Sequence, residues 1–409
     1  MPPTPAVGGV SLPVVVANAS KPGLSGLEPA ELEAWLAERG QPEYRARQIA
    51  DAVWRGIATS VVEVRTLPAD LRDVLDAEFA WDTLTATDLR VTDGGETEKA
   101  LHRLADGALV ESVLMRYPAR DGRRERTTLC ISSQAGCAVG CPFCATGELG
   151  FERDLSTAEI VDQVRHASRR LAGSGGHLTN VVFMGMGEPL LNLDRVLAAV
   201  DALNDRRRFG LGARHITVST SGVVPGIRRL TELGPQFTLA VSLHAARDAL
   251  RDVLVPLNRR WPIADVVAAA RDHAGATGRR ISYEYTMIGG INDTDEDAIA
   301  LVGLLRDEHA HVNLIPMNPV AHTPWQSSPP DVIERFADRL RAARISVTVR
   351  RNRGVEVGAA CGQLAAERAG EPTVATVARR RDRLVRESAA ALRGERSRED
   401  APALAGERA

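Results

Sequence analysis

From Thr128 onward the chain alternates short β-rich runs with amphipathic helical stretches, and this rhythm limits the available folds more than any other feature. The runs cover 128–133, 178–183, 215–220, 237–243, 281–286, 311–316 and 345–350. Between them, apolar residues recur at helical spacing near 156–171, 193–207, 223–233, 263–276, 294–309 and 331–343. Such alternation predicts an α/β fold, a parallel sheet covered by crossover helices. Six or seven strands are too few for a closed eight-stranded barrel. A (βα)6-type partial barrel over 127–350 is therefore the expected core, with an open doubly wound sheet as the alternative.

The flanks follow other rules. Residues 28–88 read as helices: Leu32, Trp35 and Leu36 fall at i, i+3, i+4, and Ile49, Val53 and Trp54 repeat the spacing. Gly40 and Pro42 separate two of these helices, so a small N-terminal accessory domain is expected. Residues 89–126 read as a β-rich connector, in which Glu111 shares a strand face with Leu109, Val113 and Met115. Its polar end, 119–126, holds four arginines. The proline-punctuated stretch 1–27 is expected to be a disordered lead-in. The tail 365–409, with ten arginines, eight acidic residues and few large apolar ones, is expected to be disordered or a frayed helix.

Whole-chain charge excludes little: the net value is −2 over 409 residues. Lysine occurs only at Lys21 and Lys99, the other basic residues being arginine. That bias suits phosphate recognition, but a GC-rich coding genome produces it too, so composition leaves RNA binding open. No stretch is long and apolar enough to span a bilayer, and the first residues lack a signal peptide's basic leader. A cytoplasmic protein is expected. Five cysteines, three of them within Cys137–Cys144, suit metal or redox chemistry in a reducing compartment.

The strongest local signal is 137-CAVGCPFC-144, a C-x3-C-x2-C spacing. A helix would align these cysteines on one face, but Gly136, Gly140 and Pro142 oppose a helix. A loop around a metal centre fits better. Three thiolates on a four-iron cube leave one iron open to a substrate. Buried structural cysteines are one alternative. Zinc is another, yet it needs a fourth ligand, and the nearest histidine, His166, lies 22 residues beyond Cys144. A glycine-rich turn, 184-MGMGEP-189, follows the second run. Ser219, 242-SLH-244 and Asn318 stand at later strand ends, the end that carries sites in parallel barrels. Read alone, each is also an ordinary turn or a satisfied polar group. Cys361, among Gly354, Gly358 and Gly362, lies in a loop (351–364) that suits a mobile segment; alone it is equally a small hydrophobe. Cys130 reads as a strand cysteine.

Together these segments resemble the radical S-adenosylmethionine superfamily and, within it, the RlmN/Cfr family of RNA methyltransferases, the RlmN branch more than the Cfr branch. The runs 127-TTLCISSQAGC-137 and 353-RGVEVGAACGQL-364 carry the likeness, which spans about 28 to 364 and places all five cysteines at family positions. The resemblance implies a [4Fe–4S] cluster on Cys137, Cys141 and Cys144. It implies S-adenosylmethionine held by Gly187, Glu188, Ser219, Ser242, Leu243, His244 and Asn318, with Glu188 accepting from the cofactor ammonium. Cys361 becomes a methyl carrier through an S-methylcysteine, Cys130 its transient disulfide partner, and Glu111 a proton acceptor whose apolar setting would raise its pKa.

The implied reaction methylates C2 of an adenosine in the peptidyl-transferase centre of 23S rRNA and of the adenosine 3′ to certain tRNA anticodons. Two S-adenosylmethionine molecules are used per turnover. A reduced flavodoxin- or ferredoxin-type donor and a thiol reductant complete the partners, with no membrane. Adenine C8 methylation, the Cfr activity, is the enzymatic alternative. A non-catalytic Fe–S RNA-binding protein is the alternative of another class, and it would not need Cys130 or Cys361. Residues 43-EYRARQ-48 and 206-RRR-208 are candidate RNA contacts, equally readable as solvated faces.

Overall fold

Every β-rich run after Thr128 contains a strand, set within three residues of its expected bounds. The computed structural model describes residues 21–119, 122, 124–364 and 374–394; the remainder of the expected lead-in, linker and tail lies outside the described residues. The chain divides into two compact units. One holds the residues up to Ala135 with Arg153–Gly185 and Asn192–Ile216, the other Gly136–Glu152, Met186–Leu191 and the chain from Thr217.

The first unit opens with helices α1 (Pro29–Glu38), α2 (Tyr44–Arg55) and α3 (Ala69–Glu78). Pro29 suits the first helical position, and the Glu31 carboxylate accepts from the Glu28 N–H at 2.8 Å. Leu32, Leu36, Ile49, Val53, Leu71 and Leu75 form the buried faces. Strands β1 (Leu84–Thr92), β2 (Thr97–Leu104), β3 (Leu109–Tyr117) and β4 (Arg126–Cys130) then make an antiparallel meander. β1 starts inside the stretch expected to be helical. Its β-branched Thr85, Thr87 and Val91, and pairing with β2 along nearly its whole length, decide the local conformation. The expected lead-in also yields: Leu24 is buried, and its N–H donates to the Ala80 carbonyl at 2.9 Å, so Lys21–Leu27 is part of the fold.

Short strands β5 (Gln134–Gly136) and β6 (Phe151–Asp154) bracket the cysteine loop along the chain, with helix α4 (Ala145–Leu149) between them. Helix α5 (Thr157–Ala172) crosses over to β7 (Asn180–Phe183), which pairs parallel with β4, and α6 (Leu193–Asn204) follows. Ser156 caps α5, accepting from the Glu159 N–H at 3.2 Å while Glu159 accepts from the Ser156 N–H at 2.8 Å. Arg165 of α5 is buried between Asp162 (2.5 Å) and Asp82 (3.1 Å) and donates to the Val53 and Trp81 carbonyls. It thereby holds α2 and the approach to β1 against α5.

The second unit contains β8 (Ile216–Thr220), β9 (Thr238–Ser242), β10 (Ile281–Met287), β11 (Ala310–Pro316) and β12 (Ser346–Val349), all parallel and adjacent in chain order. Helices α7 (Val224–Leu233), α8 (Asp248–Leu254), α9 (Ile263–Thr277), α10 (Asp295–Leu305) and α11 (Pro330–Ala342) connect them. A doubly wound sheet reverses its strand order at a switch point. This order does not reverse, as winding in the sense of a partial barrel requires. Fully buried Val218, Val241, Tyr283, Tyr285, Val312 and Leu314 give the strands their two-sided apolar character. Of the two expectations for the tail, disorder or a frayed helix, the described part is helical: Val374–Leu392 forms helix α12, which packs against α8, with Leu384 buried and Arg380 paired to Glu148. Leu384 and Ala391, seven residues apart, mark an apolar stripe too narrow to stand out among the charges. No described helix is long and apolar enough to cross a membrane.

Candidate active site

The cysteine loop turns where its glycines allow. Gly136 has φ +75, and a Cβ there would lie 1.9 Å from the Gly150 carbonyl oxygen, so only glycine fits this close approach. The Cys137 N–H donates to that same oxygen at 2.9 Å. Residues 137–144 form no helix, and α4 starts only after Cys144. The three thiols converge. Burial pushes Cys137 up to about 12, with Cys144 and Glu188 adding to it. Cys141 is raised further by burial and by Cys144 and Cys137, against the pull of Arg251.

Side chains from several strand ends face the same region of the second unit. Gly187 takes φ +99, a conformation reserved for glycine. Glu188 is buried, and its carboxylate accepts from the Ser221 N–H at 2.7 Å, the Ser221 hydroxyl at 2.6 Å and the Leu190 N–H at 3.0 Å. Burial raises its pKa and the Ser221 and Leu190 bonds oppose the shift. Glu188 was expected to offer its carboxylate to an ammonium group. Both oxygens also bond to protein, bracing the turn that carries Gly187 against Ser221.

Ser219 and Ser242 bring their hydroxyl oxygens to 3.5 Å. The Leu243 and His244 N–H groups both donate to the Glu284 carbonyl, at 3.0 and 3.3 Å. His244 has φ +59, an outlier for a non-glycine residue of the kind that concentrates at functional sites. Its Nδ1 accepts from the Thr286 N–H at 3.0 Å, its ring packs edge-on to Phe143 of the cysteine loop, and burial holds its pKa down to about 3. It is a neutral ring at physiological pH. Asn318 donates to the Cys361 carbonyl at 2.9 Å while its buried Oδ1 has no hydrogen-bond partner.

The Cys361 loop is tied to the start of α4, immediately after the cysteine loop. The Gly362 carbonyl accepts from the Ala145 N–H at 2.7 Å and the Leu364 carbonyl from the Thr146 hydroxyl at 2.6 Å. Cys361 is open to solvent, yet the surrounding chain desolvates it enough to raise its thiol pKa, which Arg350 lowers and Glu284 and Cys144 raise. It is a reachable thiol ringed by protein. Cys130 and Glu111 belong to the first unit. Cys130 ends β4 opposite Val113, so Glu111, two residues away on β3, is its diagonal neighbour on one sheet face. Glu111 does not stand alone among apolar residues: Lys99 pairs with it at 2.9 Å, both side chains being buried.

A family model described as the Radical SAM superfamily matches residues 131–302. The chain is 49% identical over 379 residues to a probable dual-specificity RNA methyltransferase RlmN from Parafrankia sp. (strain EAN1pec), covering 89% of this chain and 97% of the relative. It belongs to the RlmN family of radical SAM RNA methyltransferases. A relative of the same name from Thermobifida fusca is also 49% identical, over 84% of this chain and 94% of its own. The crystal structure of a radical SAM methyltransferase from Sphaerobacter thermophilus aligns with TM-score 0.81 and 48% identity, covering 85% of this chain and all of that one.

Membership of the RlmN family makes the chain a radical SAM RNA methyltransferase, with the [4Fe–4S] cluster and S-adenosylmethionine that the superfamily implies. The donor set fits. Among the described residues no three His, Cys, Asp or Glu side chains are placed to hold a single metal ion. A cubane asks for something else, one thiolate on each of three separate irons, and the three soft donors of 137–144, near enough to act on one another electrostatically, match that need in number and type. The orphaned Asn318 Oδ1 is a buried acceptor ready for a donor on a bound molecule.

Arg251 escaped the sequence reading. It is wholly buried and donates to the carbonyls of Leu243 (2.9 Å), Ser242 (3.1 Å) and Ser221 (2.7 Å), and to Asn258 Oδ1 (3.0 Å). One guanidinium thus ties together the turns after β8 and β9 that present Ser219, Ser242 and His244. Arg251→Met should leave these carbonyls without their charged donor and destabilise the fold by at least about 3 kcal/mol, read from the denaturant midpoint. Arg251→Lys should not restore it, since an ammonium cannot reproduce the planar fork. A midpoint unchanged in Arg251→Met would remove the brace role.

Proposed function

We propose that this methyltransferase modifies C2 of an adenosine in the peptidyl-transferase centre of 23S rRNA and of the adenosine 3′ to the anticodon in certain tRNAs, through an S-methylcysteine at Cys361. The observation that carries the reading is the hydrogen-bonding of the 361–364 backbone to Ala145 and Thr146, immediately after the third cysteine of the triad. A non-catalytic cluster protein has no use for a further thiol held there. Adenine C2 is electron-poor and does not attack a sulfonium methyl, so the carbon has to arrive on a protein carrier.

The [4Fe–4S] cluster on Cys137, Cys141 and Cys144, when bound, supplies the electron for reductive cleavage of S-adenosylmethionine. Gly187, Glu188, Ser219, Ser242, Leu243, His244 and Asn318 line the place for that cofactor, and Glu188 also fixes the turn that presents Gly187. Cys361, as thiolate, takes a methyl group from a first S-adenosylmethionine, and the second is consumed in activating that methyl. Glu111 accepts the proton lost from the base. Cys130 attacks the Cys361 sulfur: the S–S bond forms as the C–S bond breaks, the departing carbon takes up a proton to become the methyl group of the released RNA, and a thiol reductant reopens the disulfide. A reduced flavodoxin or ferredoxin serves as electron source. The target base leaves its stack to react, a cost of a few kcal/mol that is least for an unpaired nucleotide.

The deciding experiment is anaerobic reconstitution, assay of 5′-deoxyadenosine with and without RNA, and chromatography of the nucleosides. The expected product is 2-methyladenosine; 8-methyladenosine would overturn the regiochemistry. Cys130→Ala is expected to load Cys361 and attack the base but stall as a protein–RNA adduct, visible on a denaturing gel and lost on nuclease treatment. Free methylated RNA at undiminished yield would leave Cys130 as core filler.

A further inference from the structure

We propose that the groove formed in the first unit by α1, α2 and the 206–208 turn is an RNA-binding site, seating phosphates on Arg47, Arg206 and Arg208 and an unstacked base on Tyr44. The inference rests on the RNA-methyltransferase reading and adds to it a place where substrate is gripped by residues other than the cysteines.

The groove encloses ≈ 650 Å³ and is lined by Arg47, Arg55 and Arg206–Arg208 against three carboxylates, over an apolar floor from α1 and α2. Two segments 150 residues apart in sequence are joined there, since Arg55 donates to the Arg206 carbonyl at 2.6 Å. Arg208 is the telling residue. Its side chain is only 6% exposed, its Nη2 faces Glu28 at 3.5 Å and its Nε faces Asp205 at 3.7 Å, and yet its buried Nη1 has no hydrogen-bond partner. Buried guanidinium donors are rarely left unbonded, and a phosphate oxygen is the acceptor their fork geometry matches. Arg47 and Arg206 carry no ion pair among the described residues. Tyr44, at 53% exposure, lines the same groove, with the Arg45 guanidinium over one side of its ring at 4.9 Å from the centroid. Arginine donors flanking an exposed aromatic ring are the means by which single-stranded RNA is held by backbone and base together.

The test measures binding of a transcribed tRNA with adenosine 3′ to its anticodon, by fluorescence anisotropy across a salt series. The variants are Arg47→Ala/Arg206→Ala, Arg208→Gln and Tyr44→Ala, with cluster absorbance and thermal midpoint as folding controls. The double variant should weaken binding roughly tenfold and flatten the slope of log K against log salt by roughly 1.4–1.8, the release expected for two lost phosphate contacts. Arg208→Gln should flatten it by about 1. Tyr44→Ala should weaken binding by a similar factor while leaving the slope unchanged, because stacking carries no counterion term. Wild-type affinity and slope in folded variants would overturn the groove alone. Failure of the wild-type chain to bind the tRNA would overturn the functional reading and the groove with it.

Discussion

Cys361→Ala protein should bind its cluster as the wild type does and transfer no methyl group to RNA. The contacts that fix this loop come from backbone carbonyls at Cys361, Gly362 and Leu364, which alanine preserves. The thiol itself is exposed, so its removal costs little packing, within about 0.5 kcal/mol. The cluster loop and its absorbance should therefore survive while turnover falls below detection. Peptide mass spectrometry of the purified wild type should find S-methylcysteine at position 361. Turnover of the alanine variant at the wild-type rate would exclude the carrier role.

Replacing Cys137, Cys141 or Cys144 singly by alanine is expected to abolish the brown chromophore and all 5′-deoxyadenosine formation. The triad has no spare: the two remaining cysteines, Cys130 and Cys361, lie at the end of β4 and in the 361–364 loop. Two thiolates leave two irons without protein ligands, and such a cluster does not persist. A fully loaded cluster in any of these variants would mean that the ligands lie elsewhere. Iron content separates this outcome from simple misfolding, provided far-UV circular dichroism matches the wild type.

The core elements were legible because their signals are local. Val218, Val241, Tyr283 and Leu314 lie in β-rich runs bounded by turn residues, and the intervening helices repeat their apolar positions at three and four. The cysteine loop was legible for the opposite reason: its spacing and its helix-breaking glycines and proline leave few other uses. What sequence could not give was the partner of each polar side chain. Nothing in 110-VESVLM-115 reveals that Lys99, one strand away, meets Glu111. Nothing near 186-MGEP-189 says that Ser221 will occupy the Glu188 carboxylate. Arg251, one arginine among dozens, becomes a brace only once β8 and β9 are adjacent. Helix α8 was missed because its seven residues are too few for a period to stand out, and the first half of β1, Leu84–Asp88, because it continues without a break signal from a stretch of helical spacing.

The pairing of Thr146 with Leu364 has a meaning for biogenesis. These residues are 218 positions apart, so the hydrogen bond that pins the cluster-bearing segment is a contact of very high sequence separation. On a ribosome adding about 5–20 residues per second, Cys137, Cys141 and Cys144 emerge roughly 10–40 s before the 361–364 loop that bonds to the start of α4. During that interval the triad has its ligands but lacks the clasp formed by 361–364. A cluster inserted early would meet a segment not yet tied to 361–364, and one inserted late a segment already bonded to it.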